Sequence, residues 1–362
     1  MRFSNLQLLR LLAATGVVVY HLAIYARLKF GVDNALLDLF TPRVWAALPV
    51  PLFFALSGFV LTHALHHNAS RRQFLLARFL RLHPAYWLAA LITAAVMAAT
   101  SWPDSLGLAT RIRWLGWSLR PHEFGSCLYV LGVEWSLVYE VFLSIALAAM
   151  SLFGLRRGLP TLMVLWLVLL AGKAWLFPGY ASEPFPNWSA IGLSAFNAPF
   201  LLGVLAYYLR NRGRRWRWAI LAGIVCVVAF LGNSARTLEE VWLLYGPAAA
   251  ATVWLAVQLR QAPAGHPLVR GGDWTYGLYL AHVPIILGGF AFLSAAGIAT
   301  GTLAGVAIVG VAALAGGLMF GWCEARLHSR LRPLARLPFG AAIASRMPAI
   351  RLPRGLRLRP RP

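Results

Sequence analysis

Apolar stretches close to the length of a membrane crossing follow one another along almost the whole chain of 362 residues. An α-helix needs about 20 apolar residues to cross a bilayer, because each residue advances the helix by about 1.5 Å. Ten such stretches can be delimited: 6–26, 44–66, 83–100, 129–153, 159–177, 191–208, 218–233, 241–258, 274–293 and 300–323. The sequence therefore predicts an all-α fold, a polytopic membrane bundle of about ten helices.

The amino-acid composition excludes an ordinary soluble domain. Apolar residues make up 60% of the chain and charged residues 12%, whereas soluble domains average about 45–50% and about 25%. The same numbers exclude intrinsic disorder and a nucleic-acid-binding protein. The three cysteines, Cys127, Cys226 and Cys323, lie far apart and offer neither a disulfide framework nor the spacing of a metal site.

The distribution of basic residues predicts the orientation in the membrane. The chain has 33 Lys and Arg against 11 Asp and Glu, a net charge of +22. When the connections between the ten spans alternate between the two sides, 24 basic residues fall on one side and eight on the other. Cytoplasmic loops are enriched in Lys and Arg, so we expect both termini in the cytoplasm and the protein in the inner (plasma) membrane. Residues 326–362 are expected to form a basic cytoplasmic tail on anionic membrane lipids; RNA binding is the weaker alternative.

Two ionisable side chains share one face of the first predicted helix. Arg10 and His21 are eleven residues apart, or three turns plus about 20°, so both point the same way at about 16 Å along the axis. Ala13, Ala14 and Val17 lie between them and are small enough to leave a groove. Because ionisable groups inside a membrane face cavities or partners, the pair predicts a path from a cytoplasmic cation to an outer imidazole. The alternative places Arg10 among the cytoplasmic headgroups and His21 at the outer boundary.

A carboxylate lies inside the fourth predicted span. Glu140 needs a cation, a hydrogen-bond donor or a water-filled cavity at this depth, and Ser136 shares its face one turn earlier. Glu134 lies nearer the outer boundary, where we expect water to solvate it. In the ninth span His282 precedes Pro284, which is expected to kink the helix. We expect His282 to be a hydrogen-bonded structural residue rather than a catalyst.

An arginine cluster lies between the second and third predicted spans. If this segment is helical, Arg71, Arg78 and Arg81 fall within about 80° of one another. Guanidinium groups bind phosphates bidentately, so such a face suits a polyphosphate ligand. The alternative is an ordinary cytoplasmic cluster that only sets the topology. Three histidines at the end of the second span lack a nearby cysteine or carboxylate, and no metal site is expected.

Five segments of the chain, in order, resemble the integral-membrane acyltransferase family 3. They are the opening up to His21, with Arg10 followed by ten residues and a histidine; Phe-Phe-Ala-Leu-Ser-Gly-Phe at 53–59; the run 78–87 that contains Arg78 and Arg81; Trp-Ser-Leu at 135–137 with Glu140; and Gly-Leu-Tyr-Leu-Ala-His at 277–282. Five ordered matches are more specific than any single motif. The resemblance covers roughly residues 5–325 and is greatest to the exopolysaccharide branch of the family. It implies that residues 1–325 form the transmembrane acyltransferase domain.

The resemblance implies transfer of an acyl group, commonly acetyl, from cytoplasmic acyl-CoA to a hydroxyl of a cell-surface polysaccharide or lipid-linked sugar. On this interpretation the catalytic residues are His21, as general base, and Glu140. The residues that bind the co-substrate acyl-CoA (acetyl-CoA) are then Arg10, Arg71, Arg78 and Arg81. No bound cofactor is expected.

Two other classes of protein, a transporter and a membrane scaffold, share some of these features with an enzyme. A transporter or flippase of a glycan or lipid intermediate also has many spans and buried charges, but it predicts two related halves, and no such duplication is visible in the sequence. A membrane scaffold with a lipid-binding tail gives no reason for Arg10, His21 and Glu140 to lie in the membrane. The sequence thus favours an O-acyltransferase.

Overall fold

The computed structural model describes residues 3–32, 49–67, 70–99, 118–121, 131–177, 186–211 and 238–336, and the isolated residues 37, 40, 217, 220, 223 and 224. Of residues 29, 96–99 and 238–241 it describes the backbone alone. The α-helices in these ranges are α1 (Ser4–Phe30), α2 (Pro49–His67), α3 (Arg71–Ala99), α4 (Glu134–Met150), α5 (Gly158–Leu176), α6 (Ala198–Leu209), α7 (Leu238–Gln258), α8 (Pro267–Asp273), α9 (Thr275–Ala295) and α10 (Leu303–Leu331). No β-strand occurs in them. The predicted all-α fold is confirmed.

Six helical segments of the described chain are long and apolar enough to cross a membrane: Ser4–Leu28, Pro49–His67, Glu134–Phe153, Gly158–Leu176, Thr275–Ala295 and Leu303–Ala335. They coincide with six of the ten predicted spans. Three further predicted spans, 83–100, 191–208 and 241–258, overlap the helices α3, α6 and α7. The remaining one, 218–233, lies outside the described residues apart from isolated positions. The chain is a membrane protein, and the count of ten spans stays a prediction.

Apolar side chains on the outer surface show where lipid contacts the bundle. Leu165, Val168 and Leu169 on α5 and Val311 and Met319 on α10 are all more than half exposed. Exposing such apolar surfaces to water costs free energy, whereas contact with apolar lipid tails does not. The outer faces of α5 and α10 therefore carry the membrane contact.

Glycines let two pairs of helices approach closely. A Cβ atom on Gly203 of α6 would lie 2.1 Å from the carbonyl oxygen of Ala55 on α2, and one on Gly277 of α9 would lie 2.3 Å from the Cα atom of Gly321 on α10. Small residues at such crossings are typical of membrane helices, whose association depends on close van der Waals packing. These contacts fix the positions of α2, α9 and α10, which carry residues of the candidate site.

An aromatic cluster joins α4 to its neighbours. The rings of Phe54, Trp135, Tyr139, Phe196 and Trp242 have centroid separations of 4.4 to 6.4 Å, mostly edge to face. Edge-to-face pairs contribute about 0.5–1.5 kcal/mol each beyond their buried area. The cluster fixes the side of α4 that carries Tyr139. The next residue of the helix, Glu140, points between α2 and α3.

Candidate active site

A cavity of about 400 Å³ lies between α1, α2, α3, α4, α9 and α10, and Phe200 of α6 also lines it. Its volume is in the range of small-molecule sites, about 300–1,000 Å³. Much of its wall is apolar and includes Phe53, Phe54, Leu61, Phe74 and Leu143. Its charged lining residues are Arg10, Arg78, Arg81, Glu140 and Arg332. Four of the six residues predicted to form the site therefore meet at one cavity.

Glu140 has the partners that its depth in the membrane requires. Its Oε1 atom forms an ion pair with Nη2 of Arg78, and the hydroxyl of Ser57 donates a hydrogen bond to the same oxygen over 3.3 Å. The cation that pairs with Glu140 is thus Arg78 on α3. Arg10 lines the same cavity but forms no ion pair with Glu140. The ion pair places the guanidinium of Arg78 at the cavity wall.

Arg81 is held by a carboxylate that the sequence analysis missed. Its Nη1 atom forms an ion pair with Oε1 of Glu324 on α10, whose side chain is 2% exposed. The guanidinium also lies 5.2 Å from the ring centroid of Tyr276, and the Tyr276 hydroxyl donates to the carbonyl oxygen of Leu82 over 2.7 Å. The signal was present, since Glu324 follows directly on an apolar span and carries a charge that needs a partner.

Arg10, like Arg332, has no ion-pair partner within the described part of the chain, and the carboxylates of Glu140 and Asp273 act on its charge only from a greater distance. Arg10 lines the cavity and makes no hydrogen bond or ion pair to a described residue. The described cavity residues carry four positively charged guanidinium groups, the fourth on Arg332. Two negative charges oppose them, on the carboxylates of Glu140 and Glu324. The excess of two positive charges suits an anionic ligand.

Arg71 does not reach the cavity. α3 begins at this residue, so the segment is helical as predicted, but the side chain turns to the end of α4. Its Nε and Nη2 atoms donate to the hydroxyl and the carbonyl oxygen of Ser151 over 2.7 and 2.9 Å. The three arginines that share a helix face therefore have different neighbours, and Arg71 ties α3 to α4.

His21 lies against His282 rather than at the cavity. Its Nδ1 atom is 2.9 Å from Nε2 of His282, and the two rings stack at a centroid distance of 5.0 Å. Tyr279, one turn from His282 on α9, lines the cavity, and its ring centroid is 5.7 Å from that of His282. Cavity and histidine pair are thus neighbours along α9. The sequence did not predict that the neighbour of His282 is His21 on α1.

The groove expected between Arg10 and His21 is closed by packing. Ala13, Ala14 and Val17 are at most 4% exposed, because α9, α10 and the other neighbours of α1 cover this face. The expectation of an open path along α1 was wrong.

Glu134 is not solvated, contrary to the expectation from its position near the span boundary. It is fully buried, and its carboxylate accepts hydrogen bonds from the backbone N–H groups of Leu131 and Val133 over 2.6 and 3.0 Å. These donors precede α4 and have no helical partner there. The carboxylate therefore stabilises the start of α4.

Comparison with known proteins identifies the family. A family model described as "Acyltransferase domain", of acyltransferase family 3, matches residues 3–322. The chain belongs to this family. A curated relative, Acyltransferase MdmB of Streptomyces mycarofaciens, is 25% identical over an alignment 383 positions long, which covers 93% of this chain and 95% of the relative. No solved structure shows a significant match. The resemblance seen in the five segments is confirmed, and the protein is an acyltransferase.

The two cavity serines of this acyltransferase are engaged in hydrogen bonds. Ser57 donates to Glu140, and the hydroxyl of Ser136 is 2.7 Å from that of Tyr279 and 3.1 Å from the carbonyl oxygen of Val133. Among the described residues neither hydroxyl is hydrogen-bonded to a histidine, the arrangement that activates a serine nucleophile. The geometry favours direct transfer over an acyl-enzyme.

Proposed function

We propose that this acyltransferase transfers an acyl group, acetyl in the simplest case, from acyl-CoA to a hydroxyl of a cell-surface polysaccharide or lipid-linked sugar. The acyl-CoA enters from the cytoplasm, the protein crosses the inner membrane with both termini on the cytoplasmic side, and the tail lies on anionic lipids. The uneven distribution of basic residues supports this orientation.

The convergence of Arg10, Arg78 and Arg81 on one cavity supports acyl-CoA as the donor more than any other observation. Coenzyme A carries a diphosphate and a 3′-phosphate, and the excess positive charge of the cavity complements them. Each ion pair occupies one nitrogen of its guanidinium, so further N–H donors of Arg78 and Arg81 stay available for phosphate oxygens. The apolar wall suits the pantetheine arm and the acyl group.

The proposed chemical step takes place at His21. The acceptor hydroxyl oxygen attacks the thioester carbonyl, and its proton passes to His21 as the C–O ester bond forms. The C–S bond then breaks, and His21 returns the proton to the thiolate that leaves, so CoA is released as the thiol. General-base catalysis of this kind contributes about 10²–10⁴-fold. Glu140 assists by holding Arg78 at the donor site.

Mass spectrometry of cell-surface polysaccharide tests the proposal. Cells that lack the gene are complemented with wild type, with His21→Ala, or with His67→Ala, an exposed histidine at the end of α2 that serves as the control. We expect the mass of an acyl group on the polysaccharide with wild type and with His67→Ala, and its loss with His21→Ala at equal protein levels. Full acylation with His21→Ala would contradict the assignment of the base.

A further inference from the structure

The surroundings of His282 determine which of its ring nitrogens carries the proton. Its Nδ1 atom lies 2.7 Å from the carbonyl oxygen of Tyr279 and 3.2 Å from that of Leu278. Carbonyl oxygens only accept hydrogen bonds, so Nδ1 must be the N–H donor. His282 is completely buried, which leaves no water to offer Nδ1 another arrangement. In the neutral ring the other nitrogen, Nε2, is then an acceptor.

The proton on His282 in turn fixes the proton on His21. The acceptor Nε2 of His282 lies 2.9 Å from Nδ1 of His21, so Nδ1 of His21 must donate. A neutral His21 therefore holds its proton on Nδ1 and has its lone pair on Nε2. His21 is partly exposed, whereas His282 is not, so of the two rings the one that presents the basic nitrogen is the one with exposed surface.

We propose that His282 is a positioning residue, which relays a hydrogen bond from the carbonyl oxygens of Leu278 and Tyr279 to Nδ1 of His21 and thereby presents Nε2 of His21 as the base. The inference rests on the proposed function in one respect, that His21 is the base of acyl transfer. It assigns to a neutral histidine and two backbone carbonyls the orienting role that a carboxylate has in a Ser-His-Asp triad.

The relay also serves the charged form of the base. When Nε2 of His21 takes the proton of the acceptor hydroxyl, its Nδ1–H stays bonded to Nε2 of His282, and this hydrogen bond strengthens because its donor becomes a cation. The proton then returns from Nε2 of His21 to the thiolate of CoA, and both rings regain their starting tautomers. His282 neither gains nor loses a proton in the cycle.

Kinetics of three variants separate positioning from packing. His282→Leu removes the acceptor, whereas the amide oxygen of His282→Gln can occupy the position of Nε2 and accept from His21. Val283→Ala, at the next buried residue of α9, removes volume but no hydrogen bond and is the control.

We expect kcat to fall about 10–100-fold in His282→Leu, because one hydrogen bond to a charged group is lost, and we expect KM for acyl-CoA to stay unchanged. We expect His282→Gln and Val283→Ala to stay within a few-fold of wild type. Equal losses in His282→Leu and His282→Gln, or a wild-type kcat in His282→Leu, would contradict the relay.

The tautomers can be measured in the wild type without turnover. In protein labelled with ¹⁵N-histidine, two-bond ¹⁵N–¹H correlations show which nitrogen is protonated, and His21→Ala and His282→Leu assign the signals. We expect His21 and His282 both to carry the proton on Nδ1. A proton on Nε2 of either ring would overturn the inference, whatever the activity of the variants. If His21→Ala retains full activity, the assignment of His21 as the base is wrong. If His21→Ala is inactive but His282→Leu is fully active, only the relay through His282 is wrong.

Discussion

Arg78 and Arg81 lie one turn apart on α3 and are held by carboxylates from two different helices, Glu140 on α4 and Glu324 on α10. Ion pairs this deep stabilise a fold little in themselves, since both charges lose their hydration. Removing one partner is costly, because the other charge stays buried alone. A single substitution at Arg81 therefore changes both ligand binding and stability.

A double substitution separates these two effects. Arg81→Ala should lower the free energy of unfolding by about 3 kcal/mol, because Glu324 is left as a buried, unpaired carboxylate. It should also weaken CoA binding by about 10–100-fold through the lost guanidinium. Arg81→Ala/Glu324→Gln should recover stability but not affinity. Thermal unfolding in detergent and calorimetric titration with CoA measure the two; recovery of affinity in the double variant would reduce Arg81 to a structural residue.

At the level of single residues, the sequence predicted which side chains matter better than it predicted their partners. The rule that a buried charge needs a partner singled out Glu140 correctly, and Ser57 and Arg78 supply what it requires. The rule was not extended to Glu324, which follows directly on the tenth predicted span. Partners so distant in the chain depend on how the helices pack, which local periodicity does not contain.

Among the elements, the crossing of α9 and α10 positions the tyrosines of the cavity. Gly277 of α9 faces Gly321 of α10, and a Cβ atom there would lie 2.3 Å from the Gly321 Cα atom. Tyr276 and Tyr279 flank this glycine on the same helix and line the cavity. The spacing of the two helix backbones therefore sets where the cavity wall lies.

Two alanine substitutions on α9 test this packing. Gly277→Ala should force the helices apart and destabilise the protein by about 1–3 kcal/mol, as overpacked sites do. Gly288→Ala on the same helix is the matched control, because no described atom outside its own stretch of helix lies within 4 Å of where the new Cβ would be. That variant should be neutral or up to about 1 kcal/mol more stable, since alanine favours a helix. Thermal unfolding of both in the same detergent decides the matter, and equal midpoints would refute the close crossing.

Helix boundaries departed from the hydropathy edges where polar groups start a helix. α3 begins at Arg71, twelve residues before the predicted edge at 83, because its first turns carry arginines that a hydropathy scale scores as loop. α4 begins at Glu134 rather than 129, where the Glu134 carboxylate accepts from the backbone preceding the helix. Hydropathy predicts which residues contact lipid. Where a helix begins depends on the hydrogen bonds of its backbone.

For the whole molecule, the cavity is assembled from α1, α2, α3, α4, α6, α9 and α10, helices from both ends and the middle of the described chain. No single segment contains the site, which explains why five dispersed segments carried the family resemblance. The fold class followed from apolar length alone, and the family confirms the activity. The proposed donor and orientation rest on the charge of the cavity and of the loops, and the proposed acceptor rests on the resemblance to the exopolysaccharide branch of the family.

Transfer of label in membrane vesicles tests the central claim most directly. Inverted vesicles expose the cytoplasmic face, and acyl-CoA does not cross membranes, so [¹⁴C]acetyl-CoA added outside reaches only that face. With wild-type protein and polysaccharide or lipid-linked sugar present, we expect base-labile label on the glycan in inverted but not in right-side-out vesicles. Arg10→Ala should abolish most of it, since the guanidinium of Arg10 lines the cavity and forms no ion pair among the described residues. Equal labelling with Arg10→Ala, or labelling from the opposite face, would contradict acyl transfer from a cytoplasmic donor bound in this cavity.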